Sequence, residues 1–209
     1  MKSLYLYPLW VRLWHWTNAV LFVILIISGA SLHFASHNGL LTFETAMLIH
    51  NIAGILLTFL WCVFFIGNFV TDNGKHYRIR LKGIISRLIQ QSLYYAIGIF
   101  RGDAHPFHVS SDMKFNTLQQ LTYLGVMYGL MPILIISGWL FLFSGYLPDQ
   151  LFGIGSVWIV AMTHLVVAYL LVLFMLSHIY IITTGETIFS NLRAMLTGWH
   201  KDAVVLKRR

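Results

Sequence analysis

The sequence predicts an all-α integral membrane protein, a four-helix bundle. Three observations predict it. The 209 residues are 58% apolar and only 10% charged, whereas soluble domains carry about 25% charged residues. Four apolar segments, at about 13–34, 44–70, 118–143 and 155–183, each exceed the roughly 20 residues that a helical span needs. The cations gather on one side of the topology these spans define. No polar stretch is long enough for a separate soluble domain, so 1–209 reads as one transmembrane domain.

The first span follows Lys2 and Arg12. A basic start and the small residues Gly29, Ala30 and Ser31 resemble a cleavable signal peptide, but the long apolar run and the charge bias favour retention. The long loop 71–117 carries Lys75, Arg78, Arg80, Lys82, Arg87, Arg101 and Lys114, and the tail carries Arg193, Lys201, Lys207, Arg208 and Arg209. The opposite connections, 35–43 and 144–154, hold no Lys or Arg. By the positive-inside rule both termini are cytoplasmic. The net charge of +7 then reports topology and anionic lipid headgroups, not nucleic acid.

Shorter elements are expected between and after the spans. In 83–100, Ile84, Ile85, Leu88, Ile89 and Leu93 recur at helical spacing, as in a helix lying on the inner membrane surface. Residues 186–199 read as a short surface helix, entered through Thr183 and Glu186 at capping-box spacing. The hexapeptide ILIISG occurs at 24–29 and again at 133–138, at the same depth in spans one and three. Six common membrane residues can recur by chance. Ser–Gly also lets a neighbouring backbone or a flat cofactor approach closely.

The one cysteine, Cys62, lies in an apolar run and reads as a small core residue. A single cysteine excludes a disulfide framework, covalent c-type haem and cysteine-ligated iron–sulfur clusters.

Ten histidines remain to be explained. His33, His37, His76, His105, His108 and His200 are expected near water or the membrane interface. His15, His50, His164 and His178 fall within spans. By depth they form two pairs, His15 with His178 on the inner side and His50 with His164 on the outer side. Fourteen residues separate His164 from His178; at ~100° each they turn ~1400°, about 40° short of four full turns. One face of the fourth helix therefore offers a nitrogen at two levels, ~21 Å apart. Any one of these could be a hydrogen-bonded core histidine, a proton relay or a transport site. The joint pattern of four histidines paired by depth on three helices fits two non-covalent, bis-histidine b-type haems better. With both axial positions filled, such haems transfer electrons and leave no place for substrate. Gly54, one turn after His50, leaves space for a porphyrin, and Gly29, Gly125, Gly129 and Gly138 could serve likewise or serve helix packing.

The segment 12-RLWHW-16 with Ser28-Gly29 resembles the first helix of the bacterial cytochrome b561 / nickel-hydrogenase b-type cytochrome superfamily. That group includes the gamma subunits of membrane formate dehydrogenases and the thiosulfate reductase cytochrome b subunit. The segment 114-KFNTLQQLTY-123, with Pro132 and Ser137-Gly138, is similar to the start of its third helix, and the fourth helix carries two histidines at the family spacing. The resemblance covers nearly the whole chain. It implies a di-haem cytochrome b in the bacterial inner membrane, with His15/His178 and His50/His164 as axial ligands. It also implies electron exchange between membrane quinone (menaquinone or ubiquinone) and a periplasmic partner. That partner could be an iron–sulfur/molybdenum enzyme, a hydrogenase or a multihaem cytochrome c. The chain would be the electron-transfer subunit, with no substrate-reducing site of its own apart from a quinone site.

Related subunits hold quinone by the inner haem. Here that region offers Lys114, Asn116 and Gln119, with His105 and His108 upstream. A quinol needs a hydrogen-bond donor and a proton acceptor; Lys114 could equally anchor to headgroups. Arg12, one turn before His15, can meet inner propionates. The outer propionates must rely on His33, His37, backbone amides or a partner's surface. Two alternatives stand beside this reading: a stand-alone cytochrome b561-type quinol or superoxide oxidoreductase, and a histidine-lined proton or metal transporter.

Overall fold

The computed structural model describes residues 2–34, 40–107, 109–110, 113–185 and 187–202. His37, His108 and Glu186 lie outside the described residues. The four spans are α1 (Leu9–His33), α2 (Phe43–Val70), α4 (Thr117–Leu142) and α5 (Ser156–Ile182), all long and apolar enough to cross a membrane. The loop between α2 and α4 carries a 3₁₀ turn (Asp72–Tyr77) and α3 (Ile84–Leu93), which runs on through a π-turn (Tyr94–Gly98). The tail forms α6 (Ser190–Thr197). α1 starts earlier than the apolar run suggests because Pro8, which lacks an N–H, sits directly before it and suits a helix start.

Contacts divide the chain into two compact units. One unites 13–65 with 127–175. Its core is a 7-4-7 ladder on α2 (Ala46, Ala53, Leu57 and Phe64), joined by Val160, Val167 and Leu171 of α5 and by Met131. That spacing is the seam of packed parallel or antiparallel helices. Trp14 stacks on Phe64 with ring centres 4.3 Å apart. α4 is broken by a π-turn at Gly125–Leu130. Pro132, just beyond it, cannot donate back to the preceding turn. Trp61 Nε1 donates to the Met127 carbonyl in this irregular stretch (2.7 Å). Outside the membrane spans this unit has a two-residue hairpin, β2 (Gln150–Leu151) with β3 (Ile154–Gly155).

The second unit unites 1–12, 66–126 and 176–209. Here β1 (Lys2–Tyr5) pairs antiparallel with β4 (Trp199–Asp202), with Tyr5 opposite Trp199 and their ring centres 5.1 Å apart. This strand pair closes the two ends of the described chain on each other. Gly198 turns the chain from α6 into β4 at φ 87°, and a Cβ there would strike the Tyr5 ring. Arg87 braces the loop: its Nε donates to Thr117 Oγ1 (2.9 Å) and its Nη atoms to the carbonyls of Lys82 and Arg80.

Two expectations need correction. Cys62 is exposed on α2, not in the core; in a span, apolar sequence serves both the core and the lipid side, so hydropathy cannot separate them. His76 is buried, not at an interface (4% exposed), because the 3₁₀ turn folds back and its carbonyl accepts from Gln120 Nε2 (2.9 Å). The apolar residues of α3 lie along one half of the helix, with Ile85, Ile89 and Leu93 outward and Ile84 and Leu88 towards buried Gln91, as an amphipathic helix requires.

Candidate functional site

His50 and His164 face each other within the first unit. Their ring centres are 6.3 Å apart and their planes are 74° apart. A bond from imidazole nitrogen to a transition metal is about 2 Å and the ring centre lies about 1.1 Å behind that nitrogen, so two imidazoles on opposite sides of one metal have centres roughly 6 Å apart. The observed separation fits that geometry.

Each histidine is held the same way. Ser28 and Ser137 are buried, at 0% and 4% exposed. Ser28 Oγ gives its proton to the Ile24 carbonyl (2.7 Å), so it accepts from His50 Nδ1–H at 3.0 Å. Ser137 Oγ likewise donates to Ile133 (2.7 Å) and accepts from His164 Nδ1–H at 3.0 Å. A proton on Nδ1 leaves the lone pair of Nε2 for a metal. The next residue is glycine in both cases. A Cβ on Gly29 would sit 3.2 Å from His50 Cε1, and one on Gly138 would sit 3.3 Å from His164 Cε1. These two glycines make room for the imidazoles themselves. Among the described residues, Gly54, Gly125 and Gly129 meet nothing within 4 Å of a built Cβ.

His15 and His178 fall in different units. His178 lies 6.2 Å, ring centre to ring centre, from Tyr123, and His15 lies 5.1 Å from Trp16. Arg12 Nη1 donates to the Leu196 carbonyl (2.6 Å), and its buried Nε has no hydrogen-bond partner among the described residues. An anchored guanidinium with an unsatisfied donor suits an acidic group such as a propionate.

The quinone candidates separate. Lys114 Nζ donates to Asn73 Oδ1 (3.0 Å) and lies 5.4 Å from the centre of the Tyr7 ring. Burial, and next Lys75, pull the Lys114 ammonium down to about 8. Burial pushes the Tyr7 phenol up to about 12. Asn116 and Gln119 form a capping box that starts α4. The N-x-x-Q signal for that box stands in the sequence at 116–119. Asn116 has a second bond, from its Nδ2 to the Tyr95 hydroxyl (3.0 Å). Tyr95 was not among the sequence candidates. It borders a cavity of about 610 Å³ lined by Ser92, Tyr95, Ala96, Leu118, Ser177 and Tyr180, with Leu176 and Ile181. Ser177 is the neighbour of His178 in α5. His105 packs edge-on against Tyr94, ring centres 4.7 Å apart.

A family model described as Prokaryotic cytochrome b561 matches residues 6–198. The chain is 40% identical over 200 residues to an Escherichia coli (strain K12) protein named "Putative cytochrome YdhU", a match that covers 96% of this chain and 76% of that one.

Proposed function

Because the chain belongs to the prokaryotic cytochrome b561 family, we propose that it is a di-haem electron-transfer subunit of a respiratory oxidoreductase complex, working between membrane quinone and a periplasmic redox partner. The family and the four spans make it an integral membrane cytochrome with b-type haem, engaged in electron transfer. The finer reading rests chiefly on the facing pair His50 and His164, 6.3 Å apart. When bound there, haem b supplies a one-electron Fe(III)/Fe(II) couple with both axial positions filled. The second ligand pair is His15 with His178, matched by depth along their spans, with Arg12 one turn from His15 to receive a propionate.

The cavity beside Tyr95 supports quinone exchange. Its wall mixes hydroxyls with apolar side chains, as a flat ring with two carbonyl oxygens and an apolar tail requires. Asn116 donates to the Tyr95 oxygen and Gln91 also reaches that hydroxyl; the Tyr95 proton would turn from Gln91 to a quinone carbonyl on binding. Burial raises the Tyr95 phenol despite that hydrogen bond, so it stays a donor at neutral pH.

The β2–β3 turn supports an outer partner. Phe152 is 98% exposed at φ 53° and is followed by Gly153 at φ 77°. Two positive-φ residues make a type I′ turn, which favours Asn or Gly at the position Phe152 holds. An exposed aromatic kept in an unfavourable backbone conformation points to a contact it makes elsewhere. The same connection carries no Lys or Arg, so acidic outer propionates would rely on His33, His37, backbone amides or donors on a partner.

The test is the purified chain in detergent. A reduced-minus-oxidised spectrum should show b-type bands and haem content near two per chain, falling toward one in His50→Ala and in His178→Ala. Absence of b-type bands would favour the transporter reading. Reduction by a menaquinol or ubiquinol analogue should slow about tenfold in Tyr95→Phe, the worth of one hydrogen bond of about 1.4 kcal/mol; an unchanged rate removes the quinone from this cavity. Pull-down from native membranes should recover a redox protein, and Phe152→Asn should weaken that association while easing the turn. A stable, active chain that recovers no redox protein would establish the stand-alone reading.

A further inference from the structure

We propose that the repeated Ser–Gly pairs, Ser28-Gly29 and Ser137-Gly138, are orienting cradles that set the ring planes and proton positions of His50 and His164. The inference rests on the reading of these two histidines as axial ligands of one haem.

The repeat is local sequence, yet its two copies serve residues on other helices. The first ILIISG copy, in α1, holds a histidine of α2; the second, in α4, holds a histidine of α5. The two arrangements match in their principal contacts and differ in the serine's approach to the carbonyl three residues back, 3.4 Å at Ser28 and 3.0 Å at Ser137. The serine Oγ to Nδ1 distance is 3.0 Å in both, and the serine bond to the carbonyl four residues back is 2.7 Å in both. The glycine Cβ positions lie 3.2 Å and 3.3 Å from Cε1. Helix packing alone needs small residues at these places. It does not need a buried hydroxyl aimed at the same ring nitrogen twice. Chance recurrence of six residues does not explain the shared geometry either.

Each pair fixes two properties of its imidazole. The serine accepts the Nδ1 proton and so keeps the Nε2 lone pair for the metal. The serine on Nδ1 and the glycine against Cε1 together define one edge of the ring, which stops it rotating about its side-chain bond. The two cradles hold the planes 74° apart. Crossed axial imidazoles on ferric haem give a strongly anisotropic low-spin signal in electron paramagnetic resonance, and parallel ones give a more rhombic signal. An accepted proton also strengthens the imidazole as an electron donor, which favours the ferric state.

The experiment uses the full chain in detergent with haem content measured first. In Ser28→Ala, Ser137→Ala and the double variant, the outer haem should lose the most anisotropic part of its signal and its potential should shift upward. The shift should be larger in the double variant, and the inner haem, read in the same sample, should not move. Ser28→Thr and Ser137→Thr keep the hydroxyl and should restore both readouts. Gly29→Ala and Gly138→Ala, which press hardest on Cε1 and keep the serine hydroxyl on Nδ1, should alter the signal more than the potential. Alanine variants with unchanged outer-haem signal and potential overturn the cradle. Equal shifts in both haems also overturn it, since that marks a general disturbance. Haem content that does not fall in His50→Ala overturns the ligand reading itself, and the cradle with it.

Discussion

The two compact units use the same residue types for different ends. In the unit of 13–65 and 127–175, serine and glycine surround a histidine pair, and the serine–imidazole contact repeats at the same distance. In the unit of 1–12, 66–126 and 176–209, serine, glycine, asparagine and glutamine close turns and start helices. Gly74 sits against the Asn68 carbonyl, Asn116 and Gln119 cap α4, and Gly198 links α6 to β4. A glycine beside a ligand can be changed at the expense of the ligand. A glycine in a tight turn can be changed only at the expense of the fold. Small polar residues thus carry no fixed meaning; their neighbours decide it.

Substitutions can break this contrast. The largest effect is expected from Gly138→Val, whose branched side chain enters the space of the His164 ring. Haem content should fall toward one per chain while the protein stays folded by circular dichroism. Retention of both haems would show that the ring has other room. Next in size is Gly74→Ala. A Cβ there would lie far inside contact distance of the Asn68 backbone carbonyl, so the substitution should cost about 1–3 kcal/mol of stability. Thermal unfolding should show the loss, and the spectrum of the haem at His50 and His164 should not change.

The smallest effect is a pH dependence. Lys114 falls from its ordinary 10.5 to about 8 in the folded protein. The unfolded chain therefore binds more protons above pH 8, and stability rises with pH through that window. Above about pH 10 Tyr7, held up to about 12, acts in the opposite sense, because only the unfolded tyrosine ionises there. Thermal midpoints should climb between pH 8 and 10 and then turn down. Lys114→Met should flatten the climb and leave the downturn. A climb that persists in that variant would assign it to another group.

The four spans were legible because burial in lipid demands long apolar helices, and their observed bounds lie within a few residues of the apolar runs. The outer histidine pair was expected from depth and azimuth on regular helices, and the structure places the His50 and His164 rings 6.3 Å apart. Asn116 and Gln119, read as quinone candidates, also form the capping box of α4, a helix start that their spacing already spelled. Tyr95 was invisible because its value lies in contacts with α4 and α5, which are distant in sequence. The pairing of β1 with β4 was missed for the same reason: four residues at each end carry no pattern until they meet.

By itself, then, the sequence determined the membrane class and the number of spans, and it carried the expectations for the sidedness of charge and the depth of each histidine. All of these follow from periodicity and solvent preference along one chain. The tertiary structure alone decided which serine meets which imidazole, which glycines leave room for a ring and which side of α2 carries Cys62 outward. Those depend on how helices rotate against one another, and a helix that is apolar all round does not encode its rotation in hydropathy.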